Sequence, residues 1–305
     1  MFPKDPITVV EVGPRDGLQY ESMFFPTEKK IELINRLADS GLTRLETTSF
    51  VHPKIIPQFK DVIEVLDGID KRPGVIYSAL VPNIKGCQRA LETDIDELAL
   101  FVSASETHNR KNVNMSVAES LEALAEVAAM GLKAGKRLRG YIVTAFGCPY
   151  EGRVSMDRVI SLIDAYRRMG VTEVSMGDTT GMANPRQVME TAHEVLGAAG
   201  DTYLAGHFHN SRGTGLVNIL AAYQAGIRIF DSSAGGIGGC PTAIGAMGNV
   251  ATEDLVNMME EMGIATGVDQ DKLIAAACFA QEVIGSDLPG YILKSGRPDW
   301  HSLRI

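Results

Sequence analysis

Two histidines one residue apart stand out in Gly206-His207-Phe208-His209-Asn210. On an extended strand, side chains two apart share a face, so His207 and His209 project together while Phe208 turns away. Paired imidazoles in that register suit a divalent cation, with a hydrogen-bonded pair of structural histidines as the plainer alternative. Arg15-Asp16, between Pro14 and Gly17, supplies a hard oxygen ligand and a guanidinium able to stabilise charge developing on a substrate oxygen. Asp16 and the two imidazoles make a two-His-one-carboxylate set, and the side-chain oxygen of Asn249 would extend it. Taken alone, Arg15-Asp16 reads equally as a surface ion pair in a turn.

Two further acids sit among small or apolar neighbours: Glu46 in Leu45-Glu46-Thr47-Thr48-Ser49 and Asp178 in Met176-Gly177-Asp178-Thr179-Thr180. Buried acids are costly unless paired or ligated. They are candidates to orient Arg15, to hold the histidines or to move protons, against structural hydrogen bonding to nearby loops. The stretch Ala234-Gly235-Gly236-Ile237-Gly238-Gly239-Cys240-Pro241 presents one thiol on a pliable backbone. Cys240 is a candidate proton donor, acceptor or nucleophile; a phosphate-cradling loop with an incidental cysteine is the alternative. Cys148 reads as packing.

What must position these residues is a run of short β-branched strands alternating with longer amphipathic stretches. The strands are predicted at Ile7–Val12, Arg44–Thr48, Val75–Val81, Glu97–Ser103, Arg139–Ala145, Glu173–Met176, Tyr203–His209 and Ile227–Ser232. Helical patterns fall at Thr27–Ser40, Ser116–Ala134, Ser155–Met169, Pro185–Ala199 and Thr214–Ala225, with Thr27 and Ser155 as hydroxyl caps and Gly41, Gly170 and Gly226 as left-handed stops. Eight strand–helix alternations are the rhythm of an α/β protein, specifically a (β/α)8 TIM barrel, and no GxGxxG turn follows the first strand to favour an open sheet. Thr252–Met262 and Lys272–Ile284 add C-terminal helices, so residues 1–305 read as one catalytic barrel domain with an appendage from about 252 to 305. The tail from Gly290, with Trp300, docks on the barrel or on a partner subunit in this reading. In such a barrel the strand C-termini carry the chemistry, and that is where the residues above fall.

The 305 residues are 45% hydrophobic and 22% charged, the balance of a globular protein rather than a disordered or disulfide-stapled one. A formal charge of -9 argues against nucleic acid, so an anionic ligand must be met by local cations such as Arg110 and Lys111 in a loop after the fourth strand. Four scattered cysteines without CxxC spacing indicate a reducing compartment. With no signal-peptide pattern and no membrane-length apolar stretch, the expectation is a cytoplasmic location and no membrane partner.

Assembled, the chain resembles the 3-hydroxy-3-methylglutaryl-CoA lyase family, part of a superfamily of metal-dependent barrels that also holds isopropylmalate synthases. The resemblance is carried by Val10-Glu11-Val12-Gly13-Pro14-Arg15-Asp16-Gly17-Leu18-Gln19, Glu46-Thr47-Thr48-Ser49-Phe50-Val51, Gly147-Cys148-Pro149-Tyr150-Glu151-Gly152, Gly177-Asp178-Thr179, the segment from Asp231 to Pro241, and Gly248-Asn249-Val250-Ala251-Thr252-Glu253. It implies Mg2+ or Mn2+ held by Asp16, His207, His209 and Asn249, with Arg15 near a thioester oxygen. Glu46 and Asp178 are implied as supporting acids, Cys240 as a residue near the reacting carbons, and Gln19 and Glu253 as substrate-side residues. The implied reaction is retro-Claisen cleavage of an acyl-CoA thioester to acetyl-CoA and a keto acid, by a homodimer. Departures from the family pattern at Tyr20-Glu21-Ser22, Asn210-Ser211-Arg212 and Thr242-Ala243-Ile244 flank the implied site. Arg212 adds a cation suited to another carboxylate, which keeps a related substrate such as citramalyl-CoA open. A condensing synthase of the same superfamily is a further alternative, disfavoured because those usually carry an additional C-terminal region.

Overall fold

In the computed structural model, which describes residues 3–238 and 248–298, the β-branched segments become eight parallel strands. They are β1 (Thr8–Glu11), β2 (Arg44–Ser49), β3 (Ile76–Leu80), β4 (Glu97–Ser103), β5 (Arg137–Val143), β6 (Glu173–Asp178), β7 (Tyr203–Phe208) and β8 (Ile229–Ser232). Each pairs with the next, and β1 pairs with β8 from Thr8↔Ile229 to Glu11↔Ser232, so the sheet closes into a (β/α)8 barrel with no open edge.

The helices are α1 (Thr27–Asp39), α2 (Val62–Gly68), α3 (Ile84–Leu91), α4 (Glu106–Val113), α5 (Val117–Lys133), α6 (Met156–Arg168), α7 (Pro185–Ala198), α8 (Gly215–Ala225), α9 (Thr252–Glu261), α10 (Gln270–Ile284) and α11 (Tyr291–Ser295). Their apolar faces pack on the outside of the barrel: Leu33, Ile34 and Leu37 of α1, and Val159, Leu162 and Ile163 of α6, are almost fully buried. None of the helices among the described residues is long and apolar enough to cross a membrane.

Helix signals fared unevenly. Gly41, Gly170 and Gly226 do take positive φ of 91°, 81° and 117° after their helices. The two hydroxyl caps do not form: Pro26 occupies the cap of α1, Thr27 Oγ1 instead donates to Asp61 Oδ2, and Ser155 makes no side-chain cap bond. Ser116 forms a full capping box with Glu119 at α5. Arg110 and Lys111 lie in α4 rather than in a loop, following a start signal at Ser105, whose side chain caps His108 N.

The barrel interior departs from the usual layers of branched apolar side chains. Arg44 of β2 bonds Glu97 of β4 (2.9 Å) and Glu173 of β6 (2.5 Å); Arg139 of β5 bonds Glu173 (2.5 Å) and Asp231 of β8 (2.6 Å). β2 and β4, β2 and β6, and β5 and β8 are not neighbours in the sheet, so these bonds cross the lumen as a buried charged network.

Candidate metal centre and active site

The site begins with an unusual turn. After β1, the backbone N–H groups of Arg15, Asp16 and Gly17 all point back to the carbonyl of Val12, at 3.1, 2.7 and 3.3 Å, a single π-helical turn over Gly13–Gly17. It presents two consecutive side chains at the barrel mouth. Arg15 Nη1 donates to Asp16 Oδ1 at 2.7 Å, and Arg15 Nε donates to Glu46 Oε1. Tyr141 of β5 donates its hydroxyl to the other Glu46 oxygen, so Glu46 orients Arg15 and is itself fixed from the next face of the barrel.

His207 and His209 come together as the strand period requires, their ring centroids 5.0 Å apart. His207 is the penultimate residue of β7, and His209 follows the strand in an isolated bridge to Asn249. Phe208 turns outward onto Phe146. His209 Nδ1 sits 3.1 Å from the Asp178 carbonyl and His207 Nδ1 sits 3.2 Å from Asp231 Oδ2. In each ring a proton on Nδ1 leaves the Nε2 lone pair for a ligand. The candidate ligand atoms of Asp16, His207 and His209 lie within 4.8 Å of one another. Asn249 Nδ2 donates to Asp16 Oδ2 (2.9 Å) and to the Ile237 carbonyl (3.1 Å), while its Oδ1 is buried with no hydrogen-bond partner among the described residues. A carboxylate and two imidazoles brought together, with a buried unpaired amide oxygen on a side chain bonded to that carboxylate, is a donor set that a divalent cation satisfies.

The electrostatics agree. Burial opposes ionisation of Asp16, but Arg15 and the two imidazoles outweigh it and hold its pKa at about 2. Burial and the neighbouring His207 push His209 down to about 4, keeping it neutral and ligand-competent near pH 7. For His207, burial disfavours the charged form, yet Asp231 and Asp16 raise its pKa overall. A cation between these groups would replace the proton that those carboxylates attract.

Beside the centre opens a cleft of about 510 Å³ lined by Arg15, Asp16, Gln19, His207 and His209, with an apolar wall including Val51, Ile56, Leu80 and Phe101 and a polar rim including Lys111 and Asn112. Arg212 and Glu253, expected on the substrate side, and Asp178, expected as a supporting acid, do not line it. Arg212 is committed to the carbonyls of Thr180 (2.8 Å) and Gly181 (2.9 Å). Asp178 caps the following turn through Met182 N (2.7 Å) and Ala183 N (3.1 Å); burial raises its pKa to about 6. Glu253 is buried beneath the glycine stretch, where Oε2 accepts from Gly235 N at 3.0 Å, and burial pushes its pKa to about 8. Cys240 lies outside the described residues, as does Trp300; Cys148 is buried against Ser105 Oγ, consistent with packing.

Sequence reasoning missed Asp231, Arg139 and Tyr141. The signal was present: Arg139 and Tyr141 are two apart on β5 and therefore share its inner face, and Asp231 places an acid within a strand that opens Ile-Phe.

Comparison with known proteins gives the chain a family. The family model described as HMGL-like matches residues 6–279. The chain is 50% identical over 288 residues to the hydroxymethylglutaryl-CoA lyase of Bacillus subtilis, covering 94% of this chain and 96% of that protein. It is 46% identical over 278 residues to the mitochondrial hydroxymethylglutaryl-CoA lyase of Bos taurus, covering 91% and 85%. Among solved structures, the Bacillus subtilis HMG-CoA lyase superposes with a TM-score of 0.94 over 96% of this chain and 98% of that one at 50% identity. An HMG-CoA lyase from Acinetobacter baumannii in complex with coenzyme A and 3-methylmalate gives 0.92, with 97% of each chain covered and 46% identity. The chain belongs to the HMGL-like family, that of the hydroxymethylglutaryl-CoA lyases.

Proposed function

We propose that this barrel is a carbon–carbon lyase that cleaves 3-hydroxy-3-methylglutaryl-CoA to acetyl-CoA and acetoacetate. The observation that carries the reading is the convergence of Asp16, His207 and His209, with Asn249 bonded to Asp16, at the mouth of a barrel whose relatives are lyases of this name.

Asp16, His207, His209 and Asn249 would hold Mg2+ or Mn2+. Such an ion supplies Lewis-acid polarisation of the substrate's tertiary hydroxyl and neighbouring oxygens. The chain's own residues do the rest. Cleavage needs the hydroxyl proton removed, the bond between C2 and C3 broken, and its electron pair taken up by the acetyl-CoA fragment as an enolate with charge on the thioester oxygen. Arg15 is placed for that charge: Nε and Nη1 are held by Glu46 and Asp16, so its remaining N–H groups are preorganised for an acceptor in the cleft. The enolate carbon then takes a proton to give the methyl of acetyl-CoA, and Cys240, which the family resemblance implies near the reacting carbons, is the donor in this reading. Glu46 fixes Arg15, and Asp178 fixes His209 through its carbonyl and the loop after β6 through its carboxylate. Gln19 lines the cleft and would face substrate there, whereas Glu253 acts beneath the loop and Arg212 behind it.

The apolar wall suits the pantetheine arm, and Lys111 at the rim supplies a local cation for the coenzyme's phosphates in a chain of charge -9. The same reading takes residues 1–305 as one catalytic unit, working as a homodimer in the cytoplasm. The test is incubation with 3-hydroxy-3-methylglutaryl-CoA and Mg2+ or Mn2+, following acetyl-CoA and acetoacetate. Cleavage of citramalyl-CoA to acetyl-CoA and pyruvate with no turnover of the methylglutaryl thioester would overturn the substrate assignment.

A further inference from the structure

Arg139 is fully buried halfway up the barrel, and its guanidinium edges bond three different strands. Nε donates to Glu173 Oε1 (2.5 Å), Nη2 to Asp231 Oδ1 (2.6 Å) and Nη1 to the Tyr141 hydroxyl (2.5 Å). From Asp231 the chain of contacts continues to His207, since Asp231 Oδ2 faces His207 Nδ1 at 3.2 Å and accepts from Ser175 Oγ at 2.8 Å. From Tyr141 it continues to Glu46 and then to Arg15. The Tyr141 ring also meets His207 edge-on, with centroids 6.2 Å apart, and Arg15 Cζ lies 5.6 Å from it. The second branch ends where Arg15 bonds Asp16, whose Oδ2 lies 3.9 Å from Nε2 of His207 at the end of the first.

We infer that Arg139 and Asp231 are positioning residues that tie the metal-binding imidazole to the thioester-facing guanidinium, so that neither can shift without the other. The inference rests on the metal-dependent reading of the site. Its physical basis is the guanidinium's planar fork, which fixes the angle between its partners at the middle of a buried chain of hydrogen bonds that runs from His207 to Asp16. Asp231 holds His207 in the tautomer and orientation that aim Nε2 at the cation. Tyr141 both accepts from Arg139 and donates to Glu46, so its hydroxyl is the joint between the branches.

The experiment compares Asp231→Asn, Tyr141→Phe and the double variant. Mn2+ binding is measured by calorimetry on the substrate-free protein, alongside kcat and KM at saturating Mn2+, with near-ultraviolet circular dichroism reporting the fold. Asp231→Asn is expected to weaken Mn2+ binding about 10- to 100-fold. Tyr141→Phe, which removes only a hydroxyl bonded to no proposed ligand, is expected to weaken Mn2+ binding by at least about threefold and to lower kcat more than it raises KM. The double variant should lose less than the product of the single losses, as groups in one network do. An unchanged Mn2+ affinity in Tyr141→Phe, or losses that simply multiply, overturns the coupling. Failure of the wild-type protein to bind Mn2+ would instead refute the metal-dependent function. Should Asp231→Asn not fold, Ser175→Ala, which frees the same Asp231 oxygen, replaces it in the cycle with the same expectations.

Discussion

Arg15 Nη1 donates a 2.7 Å hydrogen bond to Oδ1 of its own neighbour, Asp16. On a strand, consecutive side chains point to opposite faces; the π-helical turn at Gly13–Gly17 is what brings these two to one place. The group proposed for the thioester oxygen and the carboxylate proposed for the cation therefore share a bond. Arg15→Met is expected to lower kcat about 10²- to 10³-fold, the scale of losing a preorganised oxyanion donor. Among the groups that overcome burial to hold the Asp16 pKa at about 2, Arg15 is the strongest. The variant should thus lose Mn2+ affinity at a higher pH than wild type as pH falls, read by calorimetry between pH 7 and 4.

Removal of the metal is the direct test of the centre. Dialysis against a chelator should abolish turnover, and Mn2+ should restore it. Asp16→Asn should fail to recover at Mn2+ levels that saturate wild type, while Arg212→Ala, whose side chain bonds only Thr180 and Gly181 carbonyls in the hydrogen bonds found, should recover fully.

Gly238 has φ of 103°, and a Cβ there would lie 2.9 Å from Asn249 Nδ2 and 3.0 Å from Gly17 Cα. Gly238→Ala therefore strains the backbone and pushes on Asn249 at once. The expected outcome is Mn2+ affinity reduced about tenfold, the lower end of what disturbing a ligand's support costs, with the melting temperature lowered by only a few degrees.

Glu253 gives a stability signature in pH. Its folded pKa is raised from the ordinary 4.5 to about 8 by burial. Between those values the folded protein holds a proton that the unfolded chain has released, so stability falls as pH rises from about 5 to 8. Glu11, raised to about 7, contributes in the same direction. Glu253→Gln should flatten the fall in melting temperature across that window and raise it at pH 8; an unaltered slope would show that the carboxyl is ionised in the fold.

Arg44 joins Glu97 and Glu173 inside the barrel. Arg44→Met leaves two buried acids without their shared partner, and breaking a buried pair from one side typically costs about 3–5 kcal/mol. Denaturant melts of the variant should show a loss of that order, with Mn2+ affinity little changed because Glu173 retains Arg139.

The linear sequence by itself determined the barrel, because β-branched runs alternating with amphipathic stretches report burial through local period, and local period survives folding. It also determined that His207 and His209 face one way, since two residues along a strand is a covalent fact of pleating. Asn249 was legible as an oxygen donor near the last strand, and the structure sets its amide nitrogen on Asp16. What only the tertiary structure decided was partnership across the lumen. Asp231 holds His207, the Asp178 backbone rather than its carboxylate holds His209, and Arg139 meets Asp231 from 92 positions away. It also withdrew Arg212 and Glu253 from the cleft into loop support. Such pairings depend on which side chains the closure of eight strands brings within 3 Å, and no spacing along the chain encodes that distance.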